Sequence, residues 1–185
     1  MFKVKTLAVA ATAAMTWFAA FGATPKYVFL FIGDGMSVPQ RMTAGEFSRK
    51  SGAGSLAMNS LPFSAMTRTC SADSLVTDSA AAATAIACGA KTKNHYSGVD
   101  PDGKPVYSSA VAAKKAGVKV GIVTTVTITH ATPAGFYAHR NNRGDAYGIS
   151  IDLADSGFDF FAGGGLDVSP KNSTNHVQYA KCGDA

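Results

Sequence analysis

A short polar turn, Thr77-Asp78-Ser79, runs directly into Ala80-Ala81-Ala82-Ala83. Alanine has the highest helix propensity, so a helix is predicted from here to about Cys88, with Gly89 as its stop. Ser79 then stands at or beside the first helical residue. Unpaired backbone N–H groups and the helix dipole favour an anion at that place. Two readings follow. Asp78 or Ser79 caps the first turn, or Ser79 is a nucleophile set where a phosphate would be held.

Other residues invite the same question. Asp34 lies between Gly33 and Gly35 at the end of the apolar run Tyr27–Ile32. The glycines permit unusual backbone angles and close approach of a ligand. The competing reading is a tight turn, with Asp34 capping a helix at about Val38–Phe47. Gly33-x-Gly35 is not a dinucleotide fingerprint, because Val38 stands where the third Gly or Ala belongs. Farther on come Thr129-His130-Ala131-Thr132 and two arginines, Arg140 and Arg143. An arginine presents a planar fork that matches two phosphate oxygens. His95 and His139 read as ordinary loop histidines, Asp145 and Asp152 as surface charges.

The elements that must position these residues form a pattern. Tyr27–Ile32 is a continuous run of β-formers, as in a strand buried on both faces of a parallel sheet. Ser48–Asn59 reads as a surface loop and Phe63–Thr69 as a short strand. Ser108–Ala116 reads as a helix closed by Gly117, followed by a strand over Val118–Val126. A helix at Ile149–Ser156 leads to a last strand, Phe158–Phe161, which ends in Gly163-Gly164-Gly165. Three β-runs separated by helices predict an α/β fold with a parallel sheet. Ligands of such sheets bind beyond the C-terminal ends of the strands. Asp34, Thr129–Thr132 and Gly163–Gly165 all follow strand ends, so they are expected on one edge.

Length and composition bound the rest. The chain has 185 residues, 46% hydrophobic and 16% charged, which describes a globular protein large enough for a core. Lys3 and Lys5 precede an apolar, small-residue run, "TLAVAATAAMTWFAAFGA". Residues 1–23 therefore read as a signal peptide for export, cleaved near Ala20–Ala23, and not as a stable membrane span. Removing the two lysines lowers Lys plus Arg from 17 to 15 against 12 acids, a mild net charge of +3. That leaves no nucleic-acid footprint. Cys70, Cys88 and Cys182 are too few and too widely spaced to make a disulfide framework or a cysteine zinc site.

Taken in order, "FLFIGDGM", "TDSAAAATAIACGAKT", "THATPAGFYAHRNNR" and "FDFFAGGG" resemble alkaline phosphatase. The resemblance covers about Tyr27 to Gly165. It implies a central, largely parallel sheet with helices on both faces, two zinc ions and one magnesium, and hydrolysis of phosphate monoesters through a phosphoserine. Asp34 resembles the carboxylate that bridges a zinc and the magnesium. Ser79 resembles the zinc-bound nucleophile, and Asp78 the neighbour that helps position the arginine. Thr132 resembles a magnesium ligand, and His130 stands where some members carry aspartate and others histidine. Arg143, after the Asn-Asn pair, resembles the arginine that grips phosphate, with Arg140 as its competitor. The resemblance also implies inorganic phosphate as a ligand and a homodimer.

The sequence departs from the family pattern after Gly165. His176, Asp167 and Asp184 match none of the family's remaining metal motifs, so the sheet is expected to be incomplete at the C-terminus. Residues 24–185 are read as the N-terminal portion of a catalytic domain. The alternative is a catalytically inactive truncated fragment with at most residual metal or phosphate binding. The sequon Asn172-Ser173-Thr174 matters only in a eukaryotic secretory pathway.

Overall fold

The computed structural model describes residues 25–167. The expected signal peptide, His176, Asp184, Cys182 and the sequon lie outside the described residues. The chain divides into two units, Met1–Met36 and Ser37–Ala185.

In the first unit, Tyr27–Ile32 differs from the expected buried strand. The rings of Tyr27, Phe29 and Phe31 follow one another at 6.5 and 6.4 Å, the period-two spacing of extended backbone. No strand is assigned there, and Phe31 is 89% exposed. A buried strand needs ladder neighbours as well as apolar side chains. Among the described residues, the sheet consists of two other strands. Gly33 accepts the Met36 N–H at 3.2 Å, so the Gly33–Met36 stretch is a turn that carries Asp34.

The second unit opens with α1, Val38–Lys50, longer than predicted by about one turn. Its N-cap is Ser37, whose N–H donates to Gln40 Oε1 at 3.2 Å. The expected loop Ser48–Asn59 begins instead as the last residues of α1, turns at Ser51–Gly52 and ends in a 3-10 turn at Ala57–Ser60, where Arg41 Nε donates to Asn59 Oδ1 at 3.0 Å. The expected strand at Phe63–Thr69 is not formed. Phe63 and Met66 are exposed, with no apolar layer against them to reward pairing.

Then come α2, Ser79–Cys88, and α3, Ser109–Lys115. Strand β1, Gly121–Val123, is followed by the short α4, Ala131–Ala134, and by α5, Ala146–Asp155. Strand β2, Phe160–Ala162, pairs parallel with β1, Gly121 opposite Phe160 and Val123 opposite Ala162. Two parallel strands joined through helices are the predicted α/β pattern, with shorter strands. Beyond them Gly164 donates to Val126 O at 2.8 Å, and Ile128 donates to Gly165 O at 2.8 Å. The segments that follow the two strand ends thus lie side by side, as the sequence predicted for them.

The core sits under α4 and α5. Ala134, Tyr137, Ala138 and Ile149 are buried, with Leu153, Phe158 and Phe161 packed against them. Tyr137 meets Phe161 edge-on at 5.4 Å and donates its hydroxyl to Ile128 O. The alanines of α2 serve packing as well as propensity. Ala80, Ala81, Ala83 and Ala87 are buried, and a Cβ at Gly135 would stand 2.7 Å from the Ala83 Cβ. Small residues on both sides let the chain after α4 lie close against α2. No helix among the described residues is long and apolar enough to cross a membrane.

Asp159 ties the end of α3 to the sheet. It accepts from Lys114 Nζ at 2.8 Å, Lys119 Nζ at 3.0 Å and the Val120 N–H at 2.9 Å. The Lys114 bond, then the Val120 N–H and Lys119, hold its carboxyl well below the usual carboxylate range. A depressed folded value means stability that is present above the unfolded value of about 4 and lost as pH falls through the folded one. The stability advantage of the wild type over Asp159→Asn is therefore expected to shrink as pH drops below about 4. Urea midpoints at a series of pH values measure it, and a constant difference down to acid pH would contradict the assignment.

Candidate functional site

Asp78 is the N-cap of α2, and its Oδ1 accepts the Ala81 N–H at 2.9 Å. Capping and site geometry therefore coexist in one side chain. Oδ2 accepts the His95 N–H at 2.9 Å and pairs with Arg143 NH1 at 3.1 Å. Burial pushes the Asp78 carboxyl up, but the Ala81 and His95 N–H groups and the Arg143 guanidinium outweigh it. The net effect is a value below the ordinary carboxylate range. Ser79 occupies the first helical position, half-buried. There the helix dipole favours an anion.

Arg143 joins this corner to α4. Its second terminal nitrogen lies 3.4 Å from His130 Nε2. His130 is the N-cap residue of α4, and Thr132 follows in the same short helix. The structure thus gathers Asp78, Arg143 and His130 by contact. Ser79 joins by being adjacent to Asp78, and Thr132 by its place in α4. Asp34 belongs to the first unit.

Arg140 is placed differently. Its Nε and NH2 donate to the two oxygens of Asp152 at 2.9 and 2.5 Å, and NH2 also donates to Gly148 O at 3.0 Å. Asp152 accepts the His139 N–H at 2.9 Å as well. Arg140 is therefore locked onto α5. Asp152 is a partner in that lock, and Asp145 is the α5 N-cap, accepting the Gly148 N–H at 3.0 Å. Asp145, 41% exposed, is the surface charge expected and also caps a helix, whereas Asp152, 17% exposed, is drawn in by the arginine. His139 Nδ1–H donates to Gly98 O at 2.6 Å, and the ring meets Tyr107 edge-on. That is a packing role.

Sequence reasoning missed Asn94 and the backbone of His95. Asn94 Oδ1 accepts the Asp78 N–H at 3.0 Å, and its Nδ2 donates to Val76 O at 3.0 Å. The available signal was only that asparagine side chains commonly bond to nearby backbone in loops.

Metal fit can be tested on the donors present. Ser79 and Thr132 offer hydroxyls and His130 an imidazole, all types a divalent ion accepts. The Asp78 oxygens already serve Ala81, His95 and Arg143. Among the described residues, no three His, Cys, Asp or Glu side chains stand together to hold a metal ion. The donor types fit a divalent ion but fall short of a full set among the described residues.

The sequence model of the family described as "Alkaline phosphatase" matches residues 25–157. Repressible alkaline phosphatase of Saccharomyces cerevisiae is 41% identical over 128 residues, covering 64% of this chain and 21% of that protein. Alkaline phosphatase of Gadus morhua is 35% identical over 185 residues, covering 82% of this chain and 38% of that protein. A solved His-to-Glu variant of the alkaline phosphatase from the Antarctic bacterium TAB5, with Mg bound in its M3 site, is 40% identical. It superposes with a TM-score of 0.68, covering 85% of this chain and 44% of that one. The chain spans less than half the length of each. Its capped serine helix and its arginine lie within the matched residues 25–157, and the chain belongs to the alkaline phosphatase family.

Proposed function

We propose that this chain supplies the phosphate-binding and nucleophile half of a phosphomonoester hydrolase. The observation that carries the proposal is the Asp78–Arg143 pair at 3.1 Å at the N-terminus of α2, beside Ser79. Asp78 holds the guanidinium fork at the helix end. Two oxygens of a phosphate monoester would bond to that fork, and the helix N-terminus would favour their charge. Ser79 Oγ would then attack phosphorus and displace the leaving oxygen, giving a phosphoserine that water hydrolyses.

A divalent metal, when bound, would supply the Lewis acidity that this set lacks, easing proton loss from the serine hydroxyl and offsetting charge on the leaving oxygen. In this reading two zinc ions and one magnesium serve the family reaction. Asp34 would serve both a zinc and the magnesium, Ser79 the zinc, and Thr132 and His130 the magnesium. Residues 1–23 would direct export to a periplasm or the outside, 24–185 would form the N-terminal portion of the catalytic domain, and the catalytic form would be a homodimer.

The test is a chimera. Residues 25–165 replace the matching part of the TAB5 enzyme, and hydrolysis of an aryl phosphate is assayed with zinc and magnesium. The expected result is turnover that Ser79→Ala abolishes and Arg143→Ala lowers by roughly 10²-fold, the scale of one lost transition-state donor. A folded, metal-loaded chimera whose rate is indifferent to Ser79→Ala refutes the site.

A second reading is favoured by the incomplete donor set: an inactive chain with residual phosphate binding at Arg143. The chimera separates the two, because only the first reading expects turnover there.

A further inference from the structure

We propose that Asn94 and His95 are positioning residues, a backbone clamp that sets Asp78 and Arg143 in register; the inference rests on the reading of Arg143 as the phosphate arginine. Three bonds fix Asn94. Its N–H donates to Asp73 Oδ1 at 2.9 Å, and that oxygen also accepts Ser71 Oγ at 2.8 Å. Its side-chain amide closes on the turn before Ser79, accepting from Asp78 N and donating to Val76 O. One amide therefore holds both ends of the Val76–Asp78 turn.

His95 continues the clamp through its main chain. It is the one residue other than glycine with positive φ among the described residues, at 70°. That conformation is uncommon for a side-chain-bearing residue, and such residues persist where surrounding structure enforces them. Here the enforcement is visible. The His95 N–H donates to Asp78 Oδ2 at 2.9 Å, and its C=O accepts the Arg143 N–H at 2.7 Å. One residue touches both members of the ion pair. The imidazole is 71% exposed, and its Nδ1 lies 3.7 Å from Asp78 Oδ2. The clamp works through the peptide groups and not the ring.

The functional consequence follows from Arg143's freedom. A guanidinium without fixed partners must be ordered when an anion binds, and that ordering weakens affinity. Asn94 and His95 remove the cost in advance by fixing the carboxylate and the main chain of the arginine together.

The test uses the 185-residue chain with its arginines labelled for NMR, and inorganic phosphate as the probe. In the wild type the Arg143 Nε–Hε resonance is expected away from the free-arginine position. Asn94→Ala and His95→Val are expected to move it back. His95→Asn is expected to keep it, because asparagine tolerates the left-handed conformation. The phosphate dissociation constant should rise about tenfold in Asn94→Ala, the scale of one lost hydrogen bond at a charged pair. An Arg143 resonance unchanged by Asn94→Ala, with far-UV circular dichroism intact, overturns the clamp. So does a free-like resonance in the wild type. If His95→Val fails to fold, Asn94→Ala decides. If the resonance behaves as expected but phosphate leaves Arg143 untouched, the clamp stands and the phosphate reading of Arg143 falls.

Discussion

Gly98→Ala is expected to destabilise the second unit by about 3 kcal/mol or more, in the range reserved for core strain and overpacking. Two costs act together. Gly98 has φ +62°, a left-handed conformation that costs an L-residue about 1–2 kcal/mol. The added Cβ would also stand 1.8 Å from Ala138 O and 3.0 Å from Ala138 C. Those are backbone atoms, so no side chain can swing aside. The backbone itself is pinned, because the Gly98 N–H donates to Thr84 Oγ1 at 2.9 Å and Ser97 bridges Arg140. Gly117→Ala is the control. Gly117 has φ +81°, but nothing lies within 4 Å of its Cβ position. Only the conformational cost of about 1–2 kcal/mol is expected there. Urea denaturation of both variants measures the contrast. Equal losses at the two positions would show that the Ala138 carbonyl yields. The strand bridge beside Gly98 also carries the loop that holds Asn94 and His95. Gly98→Ala should therefore loosen Arg143 before the protein melts.

What the sequence made legible was local. Alanine propensity and the Thr-Asp-Ser turn placed α2 to within a residue, and Ser108 with Gly117 bounded α3. The parallel pairing of β1 with β2 followed from two β-branched or aromatic runs separated by helices. Non-local satisfaction was not legible. Tyr27–Ile32 has the composition of a buried strand, but burial depends on neighbours that composition does not name. Phe63–Thr69 failed for the same reason. The charged residues show the limit most clearly. Arg140 and Arg143 lie three residues apart with the same chemistry. Only the fold shows that Asp152 takes the first and Asp78 the second. Asn94 lies sixteen residues from the peptide it holds, and no motif spacing announces such a bond.

With zinc and magnesium supplied, the 185-residue chain alone is expected to hydrolyse an aryl phosphate at most about 10⁻³ as fast as the chimera. The residues gathered at α2 bind and orient. Arg143, held by Asp78, provides the fork for phosphate, and Ser79 lies at the helix end. A neutral serine hydroxyl is nevertheless a weak nucleophile until a base or a metal activates it. A zinc site typically takes three or four protein ligands. Among the described residues no such group of His, Cys, Asp or Glu exists. Phosphate monoesters are among the slowest of esters to hydrolyse unaided, so binding without activation leaves nearly the whole barrier in place. Exposed apolar residues such as Phe31, Phe63 and Met66 should also draw the chain into association, which gel filtration would register. Metal content, phosphate affinity and turnover measured on one preparation decide the matter. Phosphate bound at Arg143 without turnover is the expected result. Robust turnover abolished by Ser79→Ala would show that the chain completes a metal site by itself while keeping Ser79 as nucleophile. Robust turnover indifferent to Ser79→Ala would remove Ser79 from the reaction altogether.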